Sequence, residues 1–174
     1  MNVVGLDLSL TATGIATNGG TEVLSTKLRG CERLADLRDE VVGRCRRCGY
    51  IGQADANLVV VEGYSFNSRN SQSHALGELG GVVRLALHEA GIPYVDVPPA
   101  VLKKYATGRG NAGKAEVLAA AIRRLGYDGH DDNEADALWL RVMGLDAYRV
   151  ADASPVPAAH RVALDKVDWP ELAP

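Results

Sequence analysis

The feature that most constrains this chain is a pair of carboxylates set into segments that otherwise read as buried strands. Asp7 lies in Val3-Val4-Gly5-Leu6-Asp7-Leu8-Ser9-Leu10, where Val4, Leu6, Leu8 and Leu10 alternate along one strand face and Asp7 falls on the other. Glu62 closes Leu58-Val59-Val60-Val61-Glu62, a continuous apolar run of the kind carried by central strands covered on both faces. Burying an ionised carboxylate is very costly unless it is paired or bound to a cation. Two of them at strand positions ask for a cation, and for a sheet that brings them to it.

The rest of the chain supplies such a sheet. Asn18-Gly19-Gly20 predicts a tight turn, so the first strand, residues 13–17 and residues 21–27 form an antiparallel meander. A helix is expected over residues 31–48, where Leu34, Leu37, Val41, Cys45 and Cys48 recur at steps of three and four. That spacing reads Cys45 and Cys48 as buried structural thiols rather than a zinc or redox pair, and with Cys31 they make no disulfide framework. After a polar stretch at 65–73, a helix over 74–90 contains Gly77, Gly80 and Gly81, each costing about 1 kcal/mol relative to Ala. Close packing on another backbone explains them, either within the monomer or in a helix-to-helix dimer contact.

Residues 92–97 form a short strand between prolines, and Pro99 starts a helix. The glycine-rich loop 108–113 leads to a helix from Lys114 that Gly126 caps. The last helix begins near Asp131, with Asp131 and Glu134 in capping-box spacing, and runs to about Met143. Strands in a meander, then alternating with helices, give an α/β fold with a mixed sheet, antiparallel meander plus parallel strands, flanked by helices. Residues 1–149 read as the domain, and the Ala- and Pro-rich residues 150–174 as a C-terminal tail, docked through Val162, Leu164, Val167 and Trp169 or flexible.

At 174 residues and 47% hydrophobic, one globular domain with a real core is expected. A net charge of −3 gives no global attraction to nucleic acid, yet between Lys103 and Arg124 six basic residues stand against the single acid Glu116. A basic surface beside an acidic pocket suits a polyanion held by its backbone; the competing explanation is a solvated helix face. No apolar run approaches bilayer length and no basic, then apolar, leader precedes the first strand, so a cytoplasmic protein without a membrane partner is expected.

Asp132 and Asp136 are four apart on the last helix and project from one face. With Asp7 and Glu62 they can close a carboxylate cage. Oxygen-only ligands with open positions suit magnesium or manganese rather than zinc. Asp132 also has a plainer explanation, negative charge at a helix N-terminus.

Gly5-Leu6-Asp7-Leu8-Ser9-Leu10-Thr11-Ala12-Thr13-Gly14 resembles the first acidic motif of the RuvC family of Holliday-junction resolvases. Val59-Val60-Val61-Glu62 resembles the second, and Asp132-Asn133-Glu134-Ala135-Asp136-Ala137-Leu138 the third. Leu76-Gly77-Glu78-Leu79-Gly80-Gly81-Val82 and the stretch from Val97-Pro98-Pro99 to Lys114 fall between them in the family's order, so the resemblance spans residues 1–148. It implies an RNase H-like fold, a homodimer, and hydrolysis of phosphodiesters in four-way or other branched DNA with two magnesium ions, for which manganese can substitute. Asp7, Glu62 and Asp136 match metal ligands of the family. Asp132 or Asn133 completes that set: the family often has an acid or His where Asn133 stands, and Asp132 is preferred on charge. Lys103 or Lys104, and Lys114, match basic residues near the family's active site and DNA backbone, with Arg109 and Arg69 as further DNA-contacting candidates. Tyr64 or Phe66 resembles an aromatic placed at the junction, or is ordinary core. Leu8-Ser9 stands where many relatives have Pro-Gly, a departure that leaves the metal ligands in place.

Lys114 beside the glycine loop can offset charge on the scissile phosphate, while His130, before a helix cap, reads as structural more readily than as a base. Residues 108–114 also fit the first seven positions of a P-loop, but Ala115 replaces the magnesium-binding hydroxyl and a helix, not a strand, precedes the loop. A nucleoside triphosphatase is therefore disfavoured. A junction-binding protein without catalysis is the rival from another class, and the retained acids argue against it.

Overall fold

The computed structural model describes residues 1–48, 55–64, 71–150 and 156–172. Its five-stranded sheet has the order β3-β2-β1-β4-β5. The strands are β1 (Val3–Asp7), β2 (Thr13–Thr17), β3 (Gly20–Leu24), β4 (Leu58–Glu62) and β5 (Tyr94–Val97). β1, β2 and β3 are the antiparallel meander, and β1, β4 and β5 pair in parallel. This is the mixed sheet that the strand and helix order predicts.

Alternation along each strand divides the core in two. Val4, Leu6, Ile15, Val59 and Val61 face one side, under α1 (Gly30–Cys45) and α2 (Ser71–Glu89). Cys45 and Cys48 are buried in that layer, and burial pushes the Cys45 thiol up to about 12, the state of an inert packing residue. Val3, Leu58, Val60, Val95 and Val97 face the other side. That side is covered by α3 (Pro99–Thr107), α4 (Lys114–Leu125) and α5 (Asp132–Ala147). Helix α5 is central here: Trp139 is fully buried, meets Tyr105 of α3 edge to face at 5.9 Å, and donates from Nε1 to the Val117 carbonyl of α4 at 3.2 Å.

Capping residues set the helix ends. Pro98 precedes α3 with Pro99 in its first turn, Gly108 ends it at φ 86°, and Gly126 ends α4 at φ 67°, both glycines in the left-handed region. The Asp131 side chain accepts from the Asn133 and Glu134 N–H groups at 2.8 and 3.1 Å. The expected reciprocal half of that box goes elsewhere: Glu134 Oε2 accepts from Thr21 Oγ1 at 2.8 Å and the Tyr127 hydroxyl at 2.9 Å, tying the start of α5 to β3. Helix α5 also runs one turn past Met143, because Val142, Met143, Gly144 and Asp146 remain buried. Residues 156–172 are docked, with α6 (Ala158–Arg161), a 3-10 turn (Val162–Lys166), and buried Val156, Ala163, Leu164 and Val167 packed into the α3/α5 layer. Among the described residues no helix is long and apolar enough to cross a membrane.

Two glycines fix the seat of α5. A Cβ on Gly5 would overlap the Ala137 carbonyl, and one on Gly14 the Asn133 carbonyl. The helix backbone therefore rests directly on β1 and β2, and only glycine leaves the room. Gly5→Ala and Gly14→Ala are each expected to destabilise the fold by about 3 kcal/mol, measured as a lowered urea midpoint with little change in slope.

Candidate metal-binding active site

Asp7 and Glu62 end two adjacent parallel strands, and the register Leu6 to Val61 continues to set them side by side. Both share the strand face of Val3 and Val60, so both point into the layer covered by α5. Asp136 reaches the same place from above. Its neighbour Ala137 is the residue whose carbonyl lies against Gly5, so the close approach of helix to strand carries Asp136 to the acid pair.

The electrostatics show how tightly they are grouped. Asp7 is 7% exposed, and burial, followed by the charge and hydrogen bond of Glu62, pushes its carboxyl up to about 9. Burial also raises Glu62, against the hydrogen bond from Asp7 and the positive charges of Lys103 and Lys114. Asp136 rises to about 7, through burial first and the Glu62 charge second. Asp7 and Glu62 are joined by a side-chain hydrogen bond. Among the described residues no three His, Cys, Asp or Glu side chains are already drawn together as an ion cage. The donor set itself, carboxylate oxygens without nitrogen or sulfur, fits a hard divalent cation.

Asp132 lies on the rim rather than in the group. It pairs with Lys114, whose hydrogen bond holds its carboxyl below the ordinary range, although its charge still reaches Asp136. Asn133 is fixed through its backbone, the N–H on Asp131 and the carbonyl against Gly14. Lys114, first residue of α4, is raised by the Asp132 hydrogen bond and by the charges of Asp7 and Asp136. Lys103 on α3 acts on Glu62 and Asp136, whereas Lys104 is exposed next to it. Arg109 pairs with Glu116, which also accepts from the Gly113 N–H at 3.3 Å, so the glycine loop is fastened to the start of α4. The loop follows helix α3, unlike a P-loop.

Tyr64 is 42% exposed and held by α2: it donates to the Gly77 carbonyl at 3.2 Å and accepts from Arg84 at 3.0 Å, while the Arg84 guanidinium lies 4.8 Å over its ring. Arg84 in turn pairs with Asp96 of β5. Phe66 and Arg69 lie outside the described residues. His130 is exposed, in the loop before Asp131. Sequence reasoning passed over Gly5 and Gly14, although a glycine inside a strand signals a close backbone approach. It also passed over Arg84, Asp96 and the buried Asp146, whose partners are distant in the chain and leave no local pattern.

No protein-family model matches the chain. Among curated proteins it is 32% identical over 143 residues to the crossover junction endodeoxyribonuclease RuvC of Anaeromyxobacter dehalogenans, covering 82% of this chain and 71% of that one. It is 39% identical over 104 residues to the RuvC of Sorangium cellulosum, covering 55% and 58%. The chain thus spans somewhat over half the length of several curated relatives it matches. The solved RuvC of Thermus thermophilus superposes with a TM-score of 0.66 at 27% identity, over 90% of this chain and 100% of that one. The same protein in complex with Holliday junction substrate gives 0.64 at 25% identity over the same shares. The fold is thereby RNase H-like.

Because Asp7 is raised from 3.8 to about 9 on folding, the folded state binds this proton more tightly than the unfolded state does. The linked stability is complete below the unfolded value and is lost as pH climbs through the folded one. In chelator, the wild-type Tm should therefore fall between pH 5 and pH 9. Asp7→Asn should flatten that slope and stabilise the metal-free protein at pH 8 by on the order of 2 kcal/mol; thermal melts across pH check both.

Proposed function

The chain belongs to the RuvC family of crossover junction endodeoxyribonucleases, and on that premise we propose that it is a metal-dependent endonuclease hydrolysing phosphodiesters in four-way or other branched DNA. The observation that carries the reading is the convergence of Asp7, Glu62 and Asp136 at one end of the sheet, each raised by loss of solvent, with the Glu62 charge adding to the rise of Asp7 and Asp136. Asp7, Glu62 and Asp136 would hold two magnesium ions, or manganese in their place, with Asp132 or Asn133 completing the set. Bound there, such ions activate water and stabilise the leaving oxygen of an in-line displacement.

The remaining work falls to the chain's own residues. Lys114 sits between the acids and the solvent-facing loop, and moving its ammonium from Asp132 to the scissile phosphate would offset charge there. Lys103, Lys104 and Arg109 would line the same edge and hold flanking phosphates without reading bases. Tyr64 or Phe66, together with Arg69, would meet the junction beyond Glu62. Residues 1–149 would form the nuclease domain, and a cytoplasmic location, in a bacterium or a virus-infected cell, goes with this function.

A homodimer is part of the proposal, since paired cuts need two sites. Its support lies on α2. A Cβ on Gly80 would run into Tyr64 and Arg84 of the same chain, whereas Gly77 and Gly81 face open space, and Leu85 on the same helical row is 57% exposed. A second α2 would cover that row.

Asp7→Asn and Glu62→Gln should each abolish magnesium-dependent cleavage of a four-way junction while leaving junction binding within about threefold. Full activity in both would refute the metal-site assignment, and binding without cleavage by the wild type would leave an inactive junction-binding protein instead. Leu85→Glu should shift the protein from dimer to monomer at micromolar concentration in sedimentation velocity; an unchanged dimer would place the interface elsewhere.

A further inference from the structure

The docked segment 156–172 holds the helix and loop that present the basic residues. Tyr105 of α3 is the hub. Its hydroxyl donates to Asp146 Oδ2 at 2.7 Å, and Asp146, 4% exposed near the end of α5, also takes Arg161 of α6 in a two-pronged pair at 3.0 and 2.8 Å. The Tyr105 carbonyl lies in the last turn of α3. His160 Nδ1 lies 3.0 Å from it. A carbonyl only accepts, so Nδ1 carries the hydrogen and His160 caps α3.

The other edge of that imidazole bounds the glycine loop. Gly108, at φ 86°, opens the loop 108–113, and a Cβ there would come within 2.8 Å of His160 Nε2. One short helix therefore joins three things: the end of α5, the end of α3 that carries Lys103 and Lys104, and the turn from which Arg109 and Lys114 follow. Trp169 secures the segment downstream, donating to the Leu164 carbonyl at 3.0 Å and meeting Tyr148 edge to face at 6.1 Å.

We propose that residues 156–172 are a positioning strut for the DNA-contacting edge: His160 and Arg161 set the angle of α3 and the course of the loop 108–113, and through them the distance of the basic side chains from the acid cluster. His160 and Arg161 are positioning residues and touch neither substrate nor metal. The DNA half of this inference rests on the proposed nuclease function; the loop half stands without it.

The full-length chain with His160→Phe keeps the ring's bulk and removes the cap, and His160→Asn restores a donor at the Nδ1 position. Arg161→Met removes the pair with Asp146. Hydrogen exchange is read first, without DNA: amides of residues 107–113 should exchange about tenfold faster in His160→Phe than in the wild type and return toward it in His160→Asn. Four-way-junction binding in calcium is read second. His160→Phe and Arg161→Met should bind about tenfold more weakly with a shallower salt dependence, because fewer phosphates are contacted, while calorimetric affinity for the metal alone stays within about twofold. Unchanged loop exchange in a folded His160→Phe overturns the strut outright. Faster exchange with wild-type junction affinity and salt slope overturns its link to DNA. A wild type that binds no DNA refutes the proposed function, and the exchange result then decides the strut alone.

Discussion

Everything at the acidic end of this molecule depends on one backbone contact, α5 lying on β1 and β2 at Gly5 and Gly14. Side chains ordinarily hold a helix off a sheet; here two missing Cβ atoms let it settle onto the strands. The first turns of α5 are thereby brought down to the strand ends, and Asp136 arrives beside carboxylates from two other elements. Asp131, capping the helix, and Glu134, bonded to Thr21 and Tyr127, hold that turn in place. Repulsion among the acids works against the contact, and the packing of Trp139 and its neighbours works for it.

Charge is layered around that contact. Carboxylates occupy the interior, and the ammonium groups of Lys103 and Lys114 come from helices α3 and α4 at the rim. Each cation comes from an element whose position is set by something other than the acids: α4 by Trp139 on Val117, α3 by Tyr105 and the segment beyond residue 155. Such separation lets the cations be displaced toward a phosphate without disturbing the acids. It suits a proposed reaction in which both must act on the same substrate.

Much of this was legible in the sequence, for reasons that differ by residue. Asp7 and Glu62 stood out because each is a carboxylate at a strand position, one opposite an alternating apolar face and the other closing a continuous apolar run, and the parallel pairing of their strands followed from the strand–helix alternation. Asp136 stood out through its spacing from Asp132 and the family motif, but Asp132 itself turned out to face Lys114, a pairing that sequence spacing does not encode. The glycines of α2 were legible as small residues and ambiguous as to partner; the structure divides them, Gly80 within the chain and Gly77 and Gly81 outward. Residues 156–172 were the least legible. Their anchors on Tyr105 and Asp146 lie far back in the chain, and an Ala- and Pro-rich composition carries no periodicity to announce them.

Two acids on the same helix, Asp146 buried and Asp136 half-buried, show what the fold does when it intends a carboxylate to be self-sufficient. Asp146 is met by a tyrosine hydroxyl and a two-pronged arginine, so its charge is matched by donors of the protein itself. Ten residues earlier Asp136 has neither, and among the described residues no lysine or arginine forms an ion pair with Asp7, Glu62 or Asp136. Leaving one buried and two half-buried acids without a basic partner is unfavourable in isolation, and a sequence that builds the Asp146 arrangement has the means to avoid it. The imbalance is therefore local to the ends of β1 and β4. A cation from solution is the partner that removes it, which is why the acid cluster supports a metal site more strongly than its position in the sequence alone does.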